Sequence, residues 1–186
     1  LTKHLTGPGD NGGDTDDKHN PVFSLFKRIN SSGTTLSRED INYSMLKAVW
    51  AGAKEAIEDK LMKGCQLAQP ARMVSLITRL VMMIEDDKND GKSKGLQAEL
   101  SISQFTTQLQ NDLEGKLVDF CADDGKGGMV IKNIWDLLTK GGNALPKVLA
   151  AQISQNSDDF MLLLMYWVYK VNEGAGEFDG RSLVFS

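Results

Sequence analysis

Histidine is the side chain that most often serves as a catalytic base near neutral pH, and this chain has two, His4 and His19. Both lie in the first 20 residues, a stretch rich in glycine and aspartate that we predict to be a flexible tail. A Ser-His-Asp or Cys-His arrangement in the folded body would therefore lack its base. Two distant histidines in such a tail also make a weak metal site. We predict no catalytic residues and a protein that is not an enzyme.

Two short patterns suggest chemistry that their surroundings do not support. Ser44 and Lys47 match the S-x-x-K pattern of penicillin-recognising enzymes, but the companion S-D-N and K-T-G elements are absent. The stretch 90–93 (DGKS) ends like a phosphate-binding loop, but Asp86 stands where the first glycine is required. This stretch also follows a predicted helix rather than a strand. We interpret both patterns as chance matches and predict no cofactor.

The segment from Asp123 to Ile134 resembles the calcium-binding loop of the EF-hand family, with Asp123 first and Gly128 at the sixth place. The resemblance implies a calcium ion held by oxygen ligands. Ile134 stands at the twelfth place, where the family has a bidentate acid. The stretches 26–40 and 87–91 are similar to the same family but are one residue short of its spacing. We predict no metal ligands and keep degenerate calcium binding as an alternative.

The composition of the chain excludes several classes of protein. It has 186 residues, 41% of them hydrophobic and 25% charged, which is ordinary for a soluble globular protein. A net charge of -4 is unfavourable for binding nucleic-acid phosphates. Cys65 and Cys121 lie in apolar segments and are predicted to be reduced core residues, which does not define a compartment. No signal peptide or transmembrane segment is recognisable, and because the chain begins at Leu1 a preceding segment could be missing.

The most apolar stretch of the chain runs from Phe160 to Tyr169 and contains no charged residue. Ser157 precedes it as a predicted N-cap, and Asp158 and Asp159 follow at the positive end of the helix dipole. The stretch is too short to span a bilayer, which takes about 20 apolar residues. A strand is the alternative, because 166–169 (YWVY) favours strands. We predict a helix that is buried on every side and that organises the fold.

Helical periodicity recurs along the rest of the chain and predicts an all-α fold, a compact bundle of about seven helices. A helix over 21–29 is followed by long ones over 41–61, 70–84 and 102–120, then by shorter ones with apolar residues at 130–138 and at 145, 148, 149 and 153. Ser37 is the predicted N-cap of the first of the long helices, and Ser101 begins a predicted capping box before the last. We expect possibly two helical subdomains. The predicted parts are a flexible tail (1–20), an N-terminal subdomain (21–85), an exposed linker (86–95), a C-terminal subdomain (96–174) and a C-terminal tail (175–186).

The leading hypothesis is a non-enzymatic helical protein that binds a protein partner or its own copies. At least two helices are apolar nearly all round, and we expect so few short helices to leave part of that surface unburied within one chain. A coat, matrix or filament subunit would fit, as would an adaptor. The partner and the oligomeric state are not specified by the sequence.

Three alternatives come from other classes. A nucleocapsid-like protein would contact nucleic acid through lysines at 88, 92, 94, 126, 132 and 140, but aspartates interleave with them. An EF-hand-like calcium-binding protein is the second. An enzyme that uses paired carboxylates, Asp86/Asp87 or Asp123/Asp124, is the third, although acids in turns are usually solvated.

Overall fold

Eight helices make up the part of the chain that the computed structural model describes, residues 36–90, 96–142 and 144–175. No strand occurs in these ranges, so the predicted all-α fold is confirmed. The elements in chain order are α1 (Arg38–Val49), a π-helix (Glu55–Leu61), α2 (Pro70–Asp90), α3 (Ile102–Gln110), α4 (Leu113–Cys121), α5 (Lys126–Thr139), α6 (Lys147–Asn156) and α7 (Asp158–Ala175).

Several predictions fall outside the described residues. They include the tail 1–20 with both histidines, the helix over 21–29, most of the EF-hand-like stretch 26–40, the glycine, lysine and serine of 90–93, and the C-terminal residues 176–186. These stay predictions.

Serine caps fix the beginnings of three helices, as the sequence predicts. The Ser37 hydroxyl accepts the Asp40 amide at 3.1 Å, and the Asp40 carboxylate accepts the Ser37 amide at 3.2 Å. The same reciprocal capping box joins Ser101 and Gln104 at the start of α3. The hydroxyl of Ser157 accepts the Phe160 amide at 3.2 Å at the start of α7. Each cap satisfies helical amides that have no partner within the helix.

Two predicted long helices are each interrupted in the structure, so those predictions are wrong. The helix over 41–61 stops at Val49, and the Trp50 indole folds over Gly52 before the chain resumes as the π-helix. The helix over 102–120 is interrupted at Asp112, whose φ of 69° is left-handed. Aspartate tolerates this conformation better than most residues. Periodicity alone did not reveal either interruption, because the apolar spacing continues across both.

The core is built around α2, whose apolar residues are almost entirely buried. It packs against α1, the π-helix, α4 and α7, while α5 packs against α4, α6 and α7. The fully buried side chains of α2 are Met73, Val74, Leu76, Ile77 and Leu80. Helices from both sides of residues 86–95 therefore share one core, and the described residues from Ser37 onward belong to one compact unit. Within that predicted linker, residues 86–90 are the last turn of α2.

Candidate interaction surface

Helix α7 has one buried side and one side that faces outward. Met161, Leu162 and Met165 are fully buried on the side that packs against the rest of the bundle. On the other side Phe160 is 47% exposed and Leu163 is 53% exposed. The prediction that 160–169 is buried on every side is therefore wrong for the single chain. The described helices therefore leave about half of the surface of Phe160 and of Leu163 exposed.

Helix α6 buries its small residues and exposes its large apolar ones. Ala150 and Ser154 are fully buried, whereas Val148 is 69% exposed and Leu149 and Ile153 are also exposed. The Ser154 hydroxyl donates to the Ala150 carbonyl at 2.7 Å, so its polar atom is satisfied within the helix. The usual amphipathic pattern turns large apolar residues toward the core. In α6 that pattern is reversed.

We treat the outward sides of these two helices together as one candidate surface. The helices are consecutive, they meet at Ser157 and they pack against each other. We call this surface the α6–α7 face and define it by Val148, Leu149, Ile153, Phe160 and Leu163.

The five residues of the α6–α7 face are uncharged, but the exposed Lys147 precedes Val148 and Asp159, 69% exposed, precedes Phe160. No charged residue occurs from Val148 to Asn156 or from Phe160 to Tyr169. Gln152, Gln155 and Asn156 are exposed uncharged amides of α6, whereas Lys147 at its first position is exposed and charged. Apolar side chains surrounded by polar ones are typical of an interface rather than of an ordinary solvated surface.

Two arginines of α2 hold the beginning of α7 in place. The Arg72 guanidinium donates to Asp158, with Nε and Oδ1 at 2.6 Å. Arg79 donates from Nη2 to Asp159 and from Nε to the Gln97 carbonyl, each at 2.6 Å. The Arg79 side chain is only 4% exposed. The predicted acids at the start of α7 therefore interact favourably with the helix dipole, and they also join α7 to the core helix α2.

A second group of polar contacts fixes α7 farther along. Asp87, near the end of α2, accepts a short hydrogen bond from the Tyr166 hydroxyl and pairs with the Lys170 ammonium at 2.8 Å. Hydrogen bonds from Lys170 and then Tyr166 lower the pKa of Asp87 below its usual value, so this carboxylate is ionised at neutral pH. Both ends of the exposed apolar side of α7 are thus anchored to α2.

A cavity of about 240 Å³ lies between α2, α4, α5 and α7, away from the α6–α7 face. Three lysines line it: Lys88 and Lys116 pair with Glu85 at 2.9 and 3.8 Å, and Lys126 pairs with Glu173 at 2.9 Å. Asp119 and Asp124 also line it, together with Glu85. The acids offset the lysines, so the cavity has no excess positive charge to favour a phosphate.

The lysines proposed for nucleic-acid contact do not form a free basic patch in the described residues. Lys132 and Lys140 both pair with Asp136, at 3.0 and 2.8 Å. Their ammonium groups lower the pKa of Asp136, Lys140 more than Lys132, and hold it ionised. Lys92 and Lys94 lie outside the described residues. The remaining two, Lys88 and Lys126, are the paired lysines of the cavity.

The structure also describes the S-x-x-K match and the EF-hand-like stretch 123–134. The Ser44 hydroxyl donates to the Asp40 carbonyl at 2.7 Å, and the Lys47 ammonium lies 4.3 Å from the centre of the Tyr43 ring. The EF-hand-like stretch 123–134 is helical from Lys126 onward, as part of α5. Within the described ranges, no three histidine, cysteine, aspartate or glutamate side chains gather as a metal site would require.

The sequence pattern identified the apolar residues of the α6–α7 face but not their outward direction. Val148, Leu149 and Ile153 were expected to form the apolar side of their helix, and they do share one side. The pair Ala150 and Ser154 could have indicated which side of α6 faces the core, since small residues four positions apart share one side of a helix and allow close packing. That pair marks the side of α6 that packs against its neighbours.

No helix in the described part of the chain is long and apolar enough to cross a membrane. Comparisons with protein-family models, with curated proteins and with solved structures found no match to this chain.

Proposed function

We propose that this protein is a non-enzymatic helical binding protein that uses the α6–α7 face to contact protein, either a partner or its own copies. The observation that supports the proposal is the set of five large apolar side chains that α6 and α7 turn outward. A coat, matrix or filament subunit and an adaptor are the kinds of protein that work through such a surface.

The size of the α6–α7 face supports a functional role. Taking about 180 Å² for a large apolar side chain, the exposed fractions of its residues amount to on the order of 450 Å². The largest apolar patch on a typical monomer is about 300–600 Å² and is often functional. Covering this area would contribute roughly 11 kcal/mol of gross transfer free energy at about 25 cal/mol per Å². Much of that is offset by the entropy cost of association.

Nucleic-acid binding remains the alternative proposal, with less support. Every lysine named for it in the described residues has an acidic partner, and a lysine paired with an acid attracts a phosphate less strongly. A calcium-binding role has less support too, because the side chain of Asp123 is solvent-exposed and pairs with Lys60 at 3.6 Å.

A fluorescent apolar dye tests the proposal. At sub-micromolar concentration the wild-type chain should bind the dye, and its emission per chain should fall as concentration rises and the face is covered. The double variant Val148→Ser, Leu163→Ser should lose at least about half of the dilute signal, because it removes the two most exposed residues of the face. Its thermal stability should stay within about 0.5 kcal/mol of wild type.

Val118→Ser is the matched control, since Val118 is also an exposed valine but lies on α4. It should leave the dye signal unchanged. A wild-type chain that stays monomeric and binds no dye at any dilution would overturn the proposal, as would a double variant that binds dye as well as wild type.

A further inference from the structure

The cavity between α2, α4, α5 and α7 has a partly apolar lining. Val81 and Ile84 of α2, Phe120 of α4 and Tyr169 of α7 line it, and each of these residues is at most 7% exposed. The volume of about 240 Å³ lies below the range of about 300–1,000 Å³ for drug-sized ligands. The cavity therefore suits a small molecule that has an apolar part.

Of the three lysines that line the cavity, one has an ammonium group that is free to bind a ligand. Lys88 donates to Glu85 Oε1 at 2.9 Å, and Lys126 donates to Glu173 at 2.9 Å. Lys116 Nζ lies 3.8 Å from Glu85 Oε2, which is too long for a hydrogen bond. The Lys116 ammonium group therefore makes no hydrogen bond in the described part of the chain, and it can donate to an anionic group.

Two acids that line the cavity, Asp119 and Asp124, have no ion-pair partner among residues 36–90, 96–142 and 144–175. Asp119 follows Lys116 by three residues on α4, so their side chains share one side of that helix. Asp124 lies in the turn between α4 and α5. Gly125 lets this turn approach α4 closely, because a Cβ atom there would collide with the Asp119 carbonyl oxygen. The cavity thus offers a free cation and free anions beside an apolar lining.

We propose that this cavity binds the zwitterion of a free α-amino acid that has an apolar side chain. Lys116 binds the carboxylate, Asp119 and Asp124 bind the ammonium group, and the apolar lining contacts the side chain. Three lysines and three acids line the cavity, so their charges sum to zero, as do those of the ligand. The cavity shares no residue with the α6–α7 face, and the proposal does not depend on the function of that face.

The two free charges distinguish this ligand from singly charged ones. A peptide terminus carries either the ammonium group or the carboxylate, and would leave one side of the cavity without a partner. A phosphate would lie close to the unpaired acids and be repelled by them. A ligand with both charges, one carbon apart, matches a lysine and an aspartate that stand one helical turn apart on α4.

Isothermal titration calorimetry of the full chain with three probes tests the proposal. The probes are L-leucine, isocaproate, which is leucine without its ammonium group, and isoamylamine, which is leucine without its carboxylate. Leucine should bind with a Kd of about 1 mM or tighter, the usual scale for a ligand of this size. Isocaproate and isoamylamine should each bind at least about 10-fold more weakly, because each lacks one charge-assisted hydrogen bond.

Variants of the free charges assign each contact. Lys116→Met should weaken leucine binding at least about 10-fold and remove the preference for leucine over isoamylamine, which has no carboxylate. The double variant Asp119→Asn, Asp124→Asn should remove the preference for leucine over isocaproate. These side chains are exposed or half-buried, so circular dichroism should be unchanged. Lys147→Met is the control, since Lys147 is an exposed lysine on α6 that does not line the cavity, and it should bind leucine like wild type.

A wild-type chain that gives no heat of binding with leucine up to about 20 mM would overturn the proposal. Equal affinities for the three probes would overturn it as well, because the free charges would then not select a zwitterion. Isoamylamine binding more tightly than leucine would show that the cavity takes a cation alone. Leucine binding that is unchanged in Lys116→Met would place the ligand outside this cavity.

Discussion

Replacing Arg79 with alanine should lower the free energy of unfolding by about 2–3 kcal/mol, the scale expected from truncating a buried side chain and leaving a carbonyl without its donor. The Arg79 side chain is 4% exposed, and it links α2 to both the Asp159 carboxylate and the Gln97 carbonyl. Truncation leaves a cavity at the core helix and takes the donor from that carbonyl. Asp159 is 69% exposed and can be solvated again, so most of the loss comes from the arginine itself. Urea unfolding followed by circular dichroism measures the change.

Arg38→Ala is the matched control for this prediction. Arg38 pairs with Glu99 at 3.2 Å, but its side chain is 49% exposed. An exposed pair of this kind contributes at most about 1 kcal/mol. Equal losses for the two variants would show that the buried link between α2 and α7 is no stronger than a surface ion pair. The anchored support of the α6–α7 face would then lose its main stabilising contact.

Replacing Gly127 with alanine should lower the free energy of unfolding by about 1–3 kcal/mol, the usual cost of overpacking a filled site. Gly127 lies in the first turn of α5, where α4 and α5 approach closely. A Cβ atom there would stand 2.5 Å from the Phe120 carbonyl oxygen and 2.8 Å from its ring. Neither the backbone oxygen nor the buried ring can move without displacing α4. Thermal unfolding of the variant measures the loss.

Gly128→Ala, one residue later in the chain, should have the opposite effect on the free energy of unfolding. A Cβ atom at Gly128 would have no neighbour within 4 Å. Alanine is a better helix former than glycine, so this variant should gain about 0.5 kcal/mol or slightly more. If both variants shift the midpoint in the same direction, the close approach of α4 and α5 is not what requires glycine at position 127.

Local sequence signals predicted the helix beginnings well. Ser37, Ser101 and Ser157 all cap the helices they were expected to cap, because a cap depends on residues within one turn. The interruptions at Gly52 and Asp112 were missed, since the apolar spacing continues across them. A helical period records which residues are apolar and not the backbone conformation at such a break.

The candidate surface was only partly predictable. An excess of apolar surface was expected from the uncharged stretch 160–169, and that expectation led to a binding protein. The exposure of Val148 and Leu163 was not expected. An apolar residue on α6 or α7 has the same local pattern whether it faces the core or a partner. Only the tertiary arrangement distinguishes the two.

The α6–α7 face as a protein interface is most directly tested by the thiol reactivity of Leu163→Cys at two protein concentrations. The half-buried native Cys65 is replaced by serine in this experiment. Cys121 is buried and stays silent, because burial raises the pKa of its thiol to about 12. The thiol at position 163 should react readily at the low protein concentration and severalfold more slowly at the high one. The thiol of Val118→Cys should react at the same rate at both concentrations. Equal rates at both concentrations for position 163 would contradict the use of this face for contact between copies of the chain.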